Sequence, residues 1–345
     1  MAVTIQDVAK AASVSVATVS RVVNNIPLVS EDTKQRVLAA IDELGYEPNE
    51  VARSLKVRKT KTIGILLDDI TKPQYTSISR GVTDACWIYG YNVILANTDG
   101  NIEKEKKYLK VFMQKQCDGV LVVNRKVSDE LATQLVSLKV PVVLGAVSDR
   151  EKKFANVSID NRKASFEAVE YLYENGHNDI GYIMGNREEF TVCADREAGF
   201  WQAVEKYGLN AKEEWCIESE KKELTEQDVK EGYDAMQKIL DSKRLPTAVF
   251  AANDEIAFGA MTCIEERGLK VPHDISIIGF NDYWLSEWVK PQITTISHPM
   301  YDVGAVCARL LIKKIEDEST SIDAEDSIVI PHDIIIRQTV RDLND

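Results

Sequence analysis

Eight apolar, β-rich runs constrain this chain more than any other feature. TIGILL (62–67), NVILAN (92–97), GVLVVN (119–124) and VPVVLGA (140–146) alternate with segments of helical spacing. A second series follows in the same way: DIGYIMG (179–185), WCIES (215–219), TAVFAAN (247–253) and ISIIGF, ending at 280. Strand runs separated by helical stretches are the signature of doubly wound parallel sheets. Two series predict two parallel α/β subdomains with a cleft between them. Ligands of such sheets bind beyond the carboxyl ends of the strands, so the residues just after each run are the candidates.

The first 62 residues have a different character. Thr4 can cap a helix over IQDVAKAA, with Asp7 three residues on as a capping-box variant, and Ser15 can cap a second helix through about Val23. A third pattern opens with Ser30 as its cap, places Val37, Leu38, Ile41 and Leu44 at helical spacing, and stops at Gly45. A three-helix unit of this kind can be a helix-turn-helix, whose second helix presents its N-terminal side chains to the major groove. Those side chains are Ser15, Val16, Ala17, Thr18, Ser20 and Arg21. Short groups permit close approach, Val16 and Ala17 suit thymine methyls, and Arg21 suits a guanine edge or a phosphate. Val19, Val22 and Val23 are assigned to the small core. A plain helical bundle whose Ser and Thr are only caps has the same spacing, so spacing alone leaves both readings open.

Charge is distributed along the same division. The net charge is −13, yet residues 1–62 hold nine Lys/Arg against seven Asp/Glu, and the remainder carries all the acidic excess. A mildly basic head on an acidic body fits a nucleic-acid module fused to something else. No run approaches the ~18–20 apolar residues of a membrane span, and the N-terminus lacks a signal-peptide layout, so a cytoplasmic protein without membrane contact is expected. Six scattered cysteines and four isolated histidines (His177, His273, His298, His332) give neither disulfide nor metal-site spacing. They are read as structural residues, with no metal and no cofactor. Phosphate-loop, nucleophile-elbow, zinc-protease and dinucleotide-binding motifs are all missing, which disfavours an enzyme.

Longer stretches carry a resemblance. VTIQDVAKAASVSVATVSRVVNN, SEDTKQRVLAAIDELGYEPNEVARSLKVRKTKTIGILL, GHNDIGYI, REAGFWQAV, PTAVFAANDEIAFGA, RGLKVPHDISIIGFND, PQITTI and IIIRQT occur together. In that order and spacing they resemble the lactose/galactose-repressor (LacI/GalR) family of bacterial transcriptional regulators, along nearly the whole chain. The head and HPMYDVGAVCARLL are most similar to the family's carbon-catabolite branch. The resemblance implies an allosteric repressor of carbon-metabolism genes that is a homodimer on a pseudo-palindromic double-stranded DNA operator. The rival readings are a sugar-binding protein or an unrecognised enzyme using the cleft.

The implied organisation is a helix-turn-helix domain over 1–47 and a hinge helix with linker over 48–60. A periplasmic-binding-protein-like body follows, with one subdomain from 61–161 and 292–325 and the other from 162–291 and 326–345. The DNA-contacting set becomes Thr4, Ser15, Val16, Ala17, Thr18, Ser20, Arg21 and Asn24 in the head, with Asn49, Ala52, Arg53, Leu55 and Lys56 in the hinge. Ala52 is small enough for close approach in the minor groove, and Leu55 can wedge a base step open.

Family positions for a sugar or sugar-phosphate effector fall on Tyr75, Asp160, Arg196, Asn253, Asp254 and Asn281. Asp254 can equally be a helix N-cap. Relatives usually have Asp at the place of Asn281, so the family's usual sugar hydrogen bond is not implied there. In the catabolite branch, serine-phosphorylated phosphocarrier HPr docks on the helix containing MYDVGAVCARLL, and Tyr301, Asp302 and Arg309 match that surface. An acid, Asp333, replaces an Arg usual in that branch and would repel a phosphoserine, which leaves this partner open; so does the reading of 300–311 as a helix at the subunit interface.

Overall fold

The computed structural model describes residues 3–23, 26–46, 59–124, 126–147, 153–185, 191–218, 228–317 and 324–344. They fall into two units, Met1–Thr60 and Lys61–Asp345. The hinge positions Asn49, Ala52, Arg53, Leu55 and Lys56, together with Asn24, lie outside the described residues.

The first unit contains α1 (Ile5–Ala11), α2 (Val16–Val23) and α3 (Glu31–Leu44). Thr4 and Asp7 form the expected reciprocal capping box on α1, and α3 ends on Gly45, whose φ of +60° a side chain would strain. Val8, Val19, Val22 and Val37 make the buried core, with Ala9, Ala12 and Ala40 beside them and Val23 half-buried against it. Two expectations fail here. Ser30 holds the N-cap position of α3 but makes no cap bond; its hydroxyl donates to Thr33 Oγ1 at 2.9 Å instead. Leu38 is 42% exposed, because Val37, Ala40, Ile41 and Leu44 share one sector of α3 and position 38 lies outside it.

The second unit runs β1 (Thr62–Leu67), α4 (Pro73–Tyr89), β2 (Asn92–Asn97), α5 (Ile102–Gln114), β3 (Gly119–Val123), α6 (Asp129–Ser137), β4 (Val142–Gly145) and β5 (Ala155–Ser158). It continues through α7 (Asn161–Glu174), β6 (Ile180–Met184), α8 (Thr191–Tyr207), β7 (Cys216–Glu218), α9 (Asp228–Leu240), β8 (Ala248–Ala251), α10 (Asp254–Glu266) and β9 (Ser276–Asn281). The last elements are α11 (Trp284–Trp288), β10 (Thr294–Ser297), α12 (Met300–Glu316), β11 (Ile328–Val329) and β12 (Ile334–Ile335).

Two six-stranded sheets result, ordered β11-β5-β4-β3-β1-β2 and β12-β10-β9-β8-β6-β7. Every neighbouring pair is parallel except β10 with β12. Strands β3, β4, β6, β8 and β9 are buried along their whole length, which is why they read as continuous apolar runs: crossover helices cover both faces. The chain passes between the lobes three times, and two of those boundaries differ from expectation. β10 pairs with β9 and so belongs to the second lobe, although 292–325 was assigned to the first. β11 pairs with β5 in the first, although 326–345 was assigned to the second. Both strands are short, and neither has enough residues to declare its sheet by pattern.

No described helix is long and apolar enough to cross a membrane. The six cysteines are free thiols, five of them buried.

Helix α12 returns to the first lobe and packs on α4 and on β3, β4 and β5. The two helices cross at reciprocal glycines: a Cβ on Gly81 would overlap the Tyr301 carbonyl, and one on Gly304 would overlap that of Ile78. Gly304→Val should therefore destabilise the protein by about 1–3 kcal/mol, the usual range for overpacking. Urea denaturation followed by circular dichroism measures this, and an unchanged midpoint would contradict the close crossing.

Candidate functional site

The exposed face of α2 is built by its start signal and its periodicity. Ser15 accepts a hydrogen bond from the Thr18 amide at 3.1 Å, and their hydroxyls lie 2.9 Å apart. This starts the helix so that Val19 and Val22 turn inward while Ser15, Val16, Ala17 and Arg21 face out. Val16 is 42% exposed. Thr18 and Ser20 are half-buried. Thr4 is engaged in its cap, its hydroxyl donating to Asp7 Oδ2 at 2.7 Å; these bonds hold the Asp7 carboxyl below its ordinary pKa. The Thr4 backbone N–H also donates to Asp7 Oδ2, at 2.8 Å, so its hydroxyl and its amide are both committed within the cap.

The second unit carries a cleft where the carboxyl ends of both sets of strands meet. The first lobe supplies Gln74, Tyr75 and Ile78 from α4, Asn124 after β3 and Ala146 after β4. The second supplies Arg196 from α8, Asp228 and Glu231 from α9, Asn253 after β8, and Asn281 and Tyr283 at the end of β9, with His298 and Met300 at the return crossover. Its free space is about 80 Å³, which suits several waters at ~10–15 Å³ each. A sugar-sized ligand therefore requires the lobes to part.

Arg196 is the hub of this cleft. Its Nε donates to Asn161 Oδ1 at 3.0 Å, Nη1 to the Ala252 carbonyl at 2.5 Å and Nη2 to Asn281 Oδ1 at 3.2 Å. The guanidinium carbon sits 3.6 Å from the centroid of the Phe280 ring, a cation–π contact. Burial lowers its pKa from the ordinary arginine value. Asn281 passes the chain of bonds on, donating to Tyr283 Oη at 2.8 Å, and Tyr283 donates to Gln74 Oε1 of the first lobe at 2.9 Å. Asn281 and Asp282 have φ of +102° and +53°, backbone that typically costs ~1–3 kcal/mol per residue and persists where surroundings enforce it. A second link between lobes joins Lys72 Nζ to Asp228 at 3.1 Å and Glu255 at 3.6 Å. Burial opposes the lysine charge, but the two carboxylates overcome it and raise the lysine pKa.

Of the six expected effector residues, Tyr75, Arg196, Asn253 and Asn281 line the cleft, and two do not. Asp160 is exposed and caps α7, accepting from the Lys163 amide at 2.9 Å; its neighbour Asn161 is the residue that reaches Arg196. Asp254 is neither cap nor cleft residue. Asn253 caps α10 through the Ile256 amide at 2.8 Å, while the buried Asp254 carboxylate accepts from Tyr283 N at 2.8 Å and Thr295 Oγ1 at 2.5 Å. Asn124 was missed, although it directly follows the third strand run; its amide donates to Glu105 at 2.6 Å. Burial, with Asp68 nearby, pushes Glu105 up to about 7. Asp228, Glu231, Tyr283 and His298 were also missed.

On α12, Tyr301, Asp302 and Arg309 are exposed, and Tyr301 donates to Asp84 of α4 at 3.1 Å. Asp333 is exposed at the β10–β12 edge, its amide held by Ser297 Oγ at 2.9 Å.

Burial pushes Asp254 up to about 7, against the opposing effect of its hydrogen bonds from Thr295 and Tyr283. The folded state thus keeps this proton where the unfolded chain has lost it, and stability falls as pH rises from ~4 to ~7. Asp254→Asn cannot titrate. The stability of the wild type relative to this variant should rise between pH 8 and pH 5, by at most ~1.4 kcal/mol per unit of pKa displacement. A pH-independent difference in denaturation free energy would contradict the buried-acid assignment.

Comparison with known proteins agrees with this architecture. Residues 4–49 match the model of the bacterial regulatory proteins of the lacI family, and residues 169–340 match a periplasmic binding protein-like domain. The HTH-type transcriptional regulator RegA of Clostridium saccharobutylicum is 41% identical over 98% of this chain and 99% of its own. Catabolite control protein A of Priestia megaterium is 40% identical over 99% and 100%. Among solved structures, a lac repressor dimer bound to operator and an anti-inducer is similar over 99% of this chain and 100% of its own, with a TM-score of 0.86 at 26% identity. The chain belongs to the LacI family of bacterial transcriptional regulators, which bind DNA and are not enzymes.

Proposed function

We propose that this protein is a homodimeric repressor of carbon-metabolism genes. It binds a pseudo-palindromic operator and responds to a small molecule held in the cleft between its lobes. The observation that carries the reading is the outward face of α2, where Val16, Ala17 and Arg21 are exposed on a helix whose opposite side is core. Side chains of this kind suit the major groove: apolar groups for thymine methyls, a guanidinium for guanine or phosphate. Ala52 and Leu55, with the basic residues around them, suit a minor-groove hinge.

Dimerisation is supported by large apolar groups exposed on the single chain. Trp87 and Ile88 end α4, and Trp284 and Trp288 lie on α11; Trp87 is 85% exposed. Exposed large apolar side chains are the kind of surface that an interaction site uses, and a two-fold dimer matches dyad-related half-sites on DNA. Control by the cleft is supported by the two links that cross it, Tyr283 to Gln74 and Lys72 to Asp228. A ligand that parts or tightens the lobes has to rearrange both. For the protein partner, exposed Tyr301, Asp302 and Arg309 favour a docking face on α12, and Asp333 disfavours a phosphoserine. Tighter binding of serine-phosphorylated than of unmodified HPr would support that partner, and equal binding would reject it.

Genome-wide mapping of bound sites should return a palindromic sequence near carbon-metabolism genes. On that operator, Arg21→Ala should weaken binding by about 1–3 kcal/mol, the worth of one base contact, with unchanged thermal melting. Leu55→Ala should weaken it as well while the fold persists. Unchanged operator affinity in both variants would reject the assigned DNA-reading surfaces.

A further inference from the structure

Behind the first-lobe wall of the cleft lies a buried acid that no cation meets. Glu105 of α5 is 5% exposed, and among the described residues it makes no ion pair. The lysines beside it on α5 are turned to other acids, Lys104 to Asp99, and Lys106 to Glu103 and to Glu130 of α6. The charged group that faces Glu105 is a second buried acid, Asp68, just after β1. Thr98, after β2, holds its hydroxyl 3.1 Å from the Leu67 carbonyl and 3.5 Å from Asp68 Oδ1, and adds no charge. A buried charge without a counter-charge is costly, and such a group answers by holding its proton. Burial first, and then Asp68, push Glu105 up to about 7, against the opposing effect of its hydrogen bond from Asn124.

One amide joins this acid to the cleft. Asn124 is 3% exposed and lines the cleft; its Nδ2 donates to Glu105 Oε1 at 2.6 Å, and its Oδ1 has no partner among the described residues. An ionised carboxylate only accepts, so it holds the amide nitrogen and leaves the oxygen as the atom that Asn124 has to offer. A protonated carboxyl is also a donor, and an acceptor that lacks one lies on the same amide. Buried acceptors without a donor are rare in native proteins, so the added proton favours a half-turn of the amide. The oxygen then accepts from Glu105, and the nitrogen faces the cleft.

We propose that Glu105 is a proton switch behind the cleft wall: ionised, it makes Asn124 present an acceptor to the cleft, and protonated, it makes Asn124 present a donor. The direction follows from the carboxyl itself, with the acceptor shown in mild base and the donor in mild acid. The consequence for an effector, that one proton changes the polar group it meets, rests on the reading of the cleft as the effector site. The switch itself needs no effector to be observed.

The test is a pH series of NMR spectra of the full-length protein carrying nitrogen-15 only at asparagine, from about pH 5.5 to about pH 8.5. The Asn124 side-chain amide, assigned by its loss in Asn124→Ser, should move with a midpoint near 7. Above the midpoint one of its protons should lie downfield, bonded to a carboxylate. Below it that proton should move upfield, and exchange of the group with water should rise relative to the other asparagines at the same pH. Asp68→Asn should lower the midpoint by about one unit, because a facing like charge is gone, and Glu105→Gln should abolish the titration. An Asn124 amide that stays unchanged across the series, or that still titrates in a folded Glu105→Gln protein, overturns the switch. A midpoint near 7 without the upfield move overturns it as well, since Glu105 then shares its proton with Asp68 while Asn124 stays in place. A midpoint that Asp68→Asn leaves unmoved overturns the part given to Asp68. Where Glu105→Gln fails to fold, the wild-type and Asp68→Asn series decide. Failure of the switch leaves the cleft-effector reading standing, because no effector enters the measurement.

Discussion

One buried guanidinium organises the body of this protein. Arg196 gathers the start of α7 through Asn161, the end of β8 through Ala252 and the end of β9 through Asn281. Burying a cation is costly unless its donors are met. Here they are met by neutral amide and carbonyl oxygens and by the face of Phe280, which keeps the charge without introducing a second one. Those three elements carry the ligand-facing residues of the second lobe. Asn281 is also the first residue of the relay through Tyr283 to Gln74 in the first lobe. Removal of the guanidinium would leave Asn281 in strained backbone without its acceptor role, and the relay without its origin.

Head and body divide the chemistry between them. The head exposes short side chains and one arginine on a helix held by a few valines and alanines, so its surface is free to follow a groove. The body is a larger, thoroughly buried double sheet whose moving part is the seam between lobes. Among the described residues, that seam carries the polar links Tyr283–Gln74 and Lys72–Asp228 beside apolar packing that is continuous between the lobes. Polar links across a cleft suit a two-state element, since a ligand can exchange them for its own hydrogen bonds without unpacking either core. Such an element is what coupling between a cleft and an operator requires.

Most of the fold was legible because buried parallel strands leave nothing but apolar residues to read. The Thr4–Asp7 cap and the Gly45 stop were legible because their chemistry is local. The misassigned cleft residues share one cause. In Ile159-Asp160-Asn161 and in Asn253-Asp254, two cap-capable residues stand side by side at a helix start, and successive helical residues point ~100° apart. Asp160 caps while Asn161 reaches Arg196; Asn253 caps while Asp254 turns into the core against Tyr283 and Thr295. Family position identifies the neighbourhood, but a one-residue offset decides which side chain enters the cleft. His298 was illegible for another reason: an isolated histidine has no spacing partner, and its significance arises only where the return crossover brings it into the wall. The sheet membership of β11 was likewise invisible, being decided by pairing with β5, far away in sequence, and β10 is too short to declare by pattern that it continues the sheet of β9.

The central claim is that the cleft and the DNA-reading head are thermodynamically coupled. The most direct measurement is the dissociation constant of a small molecule that binds the cleft, determined once on the free full-length protein and once on its operator complex. Linkage requires the two constants to differ by the same factor by which that molecule changes operator affinity. The account predicts a factor of at least ~5, the low end of typical allosteric coupling. Equal constants, with both ligands bound, would contradict it.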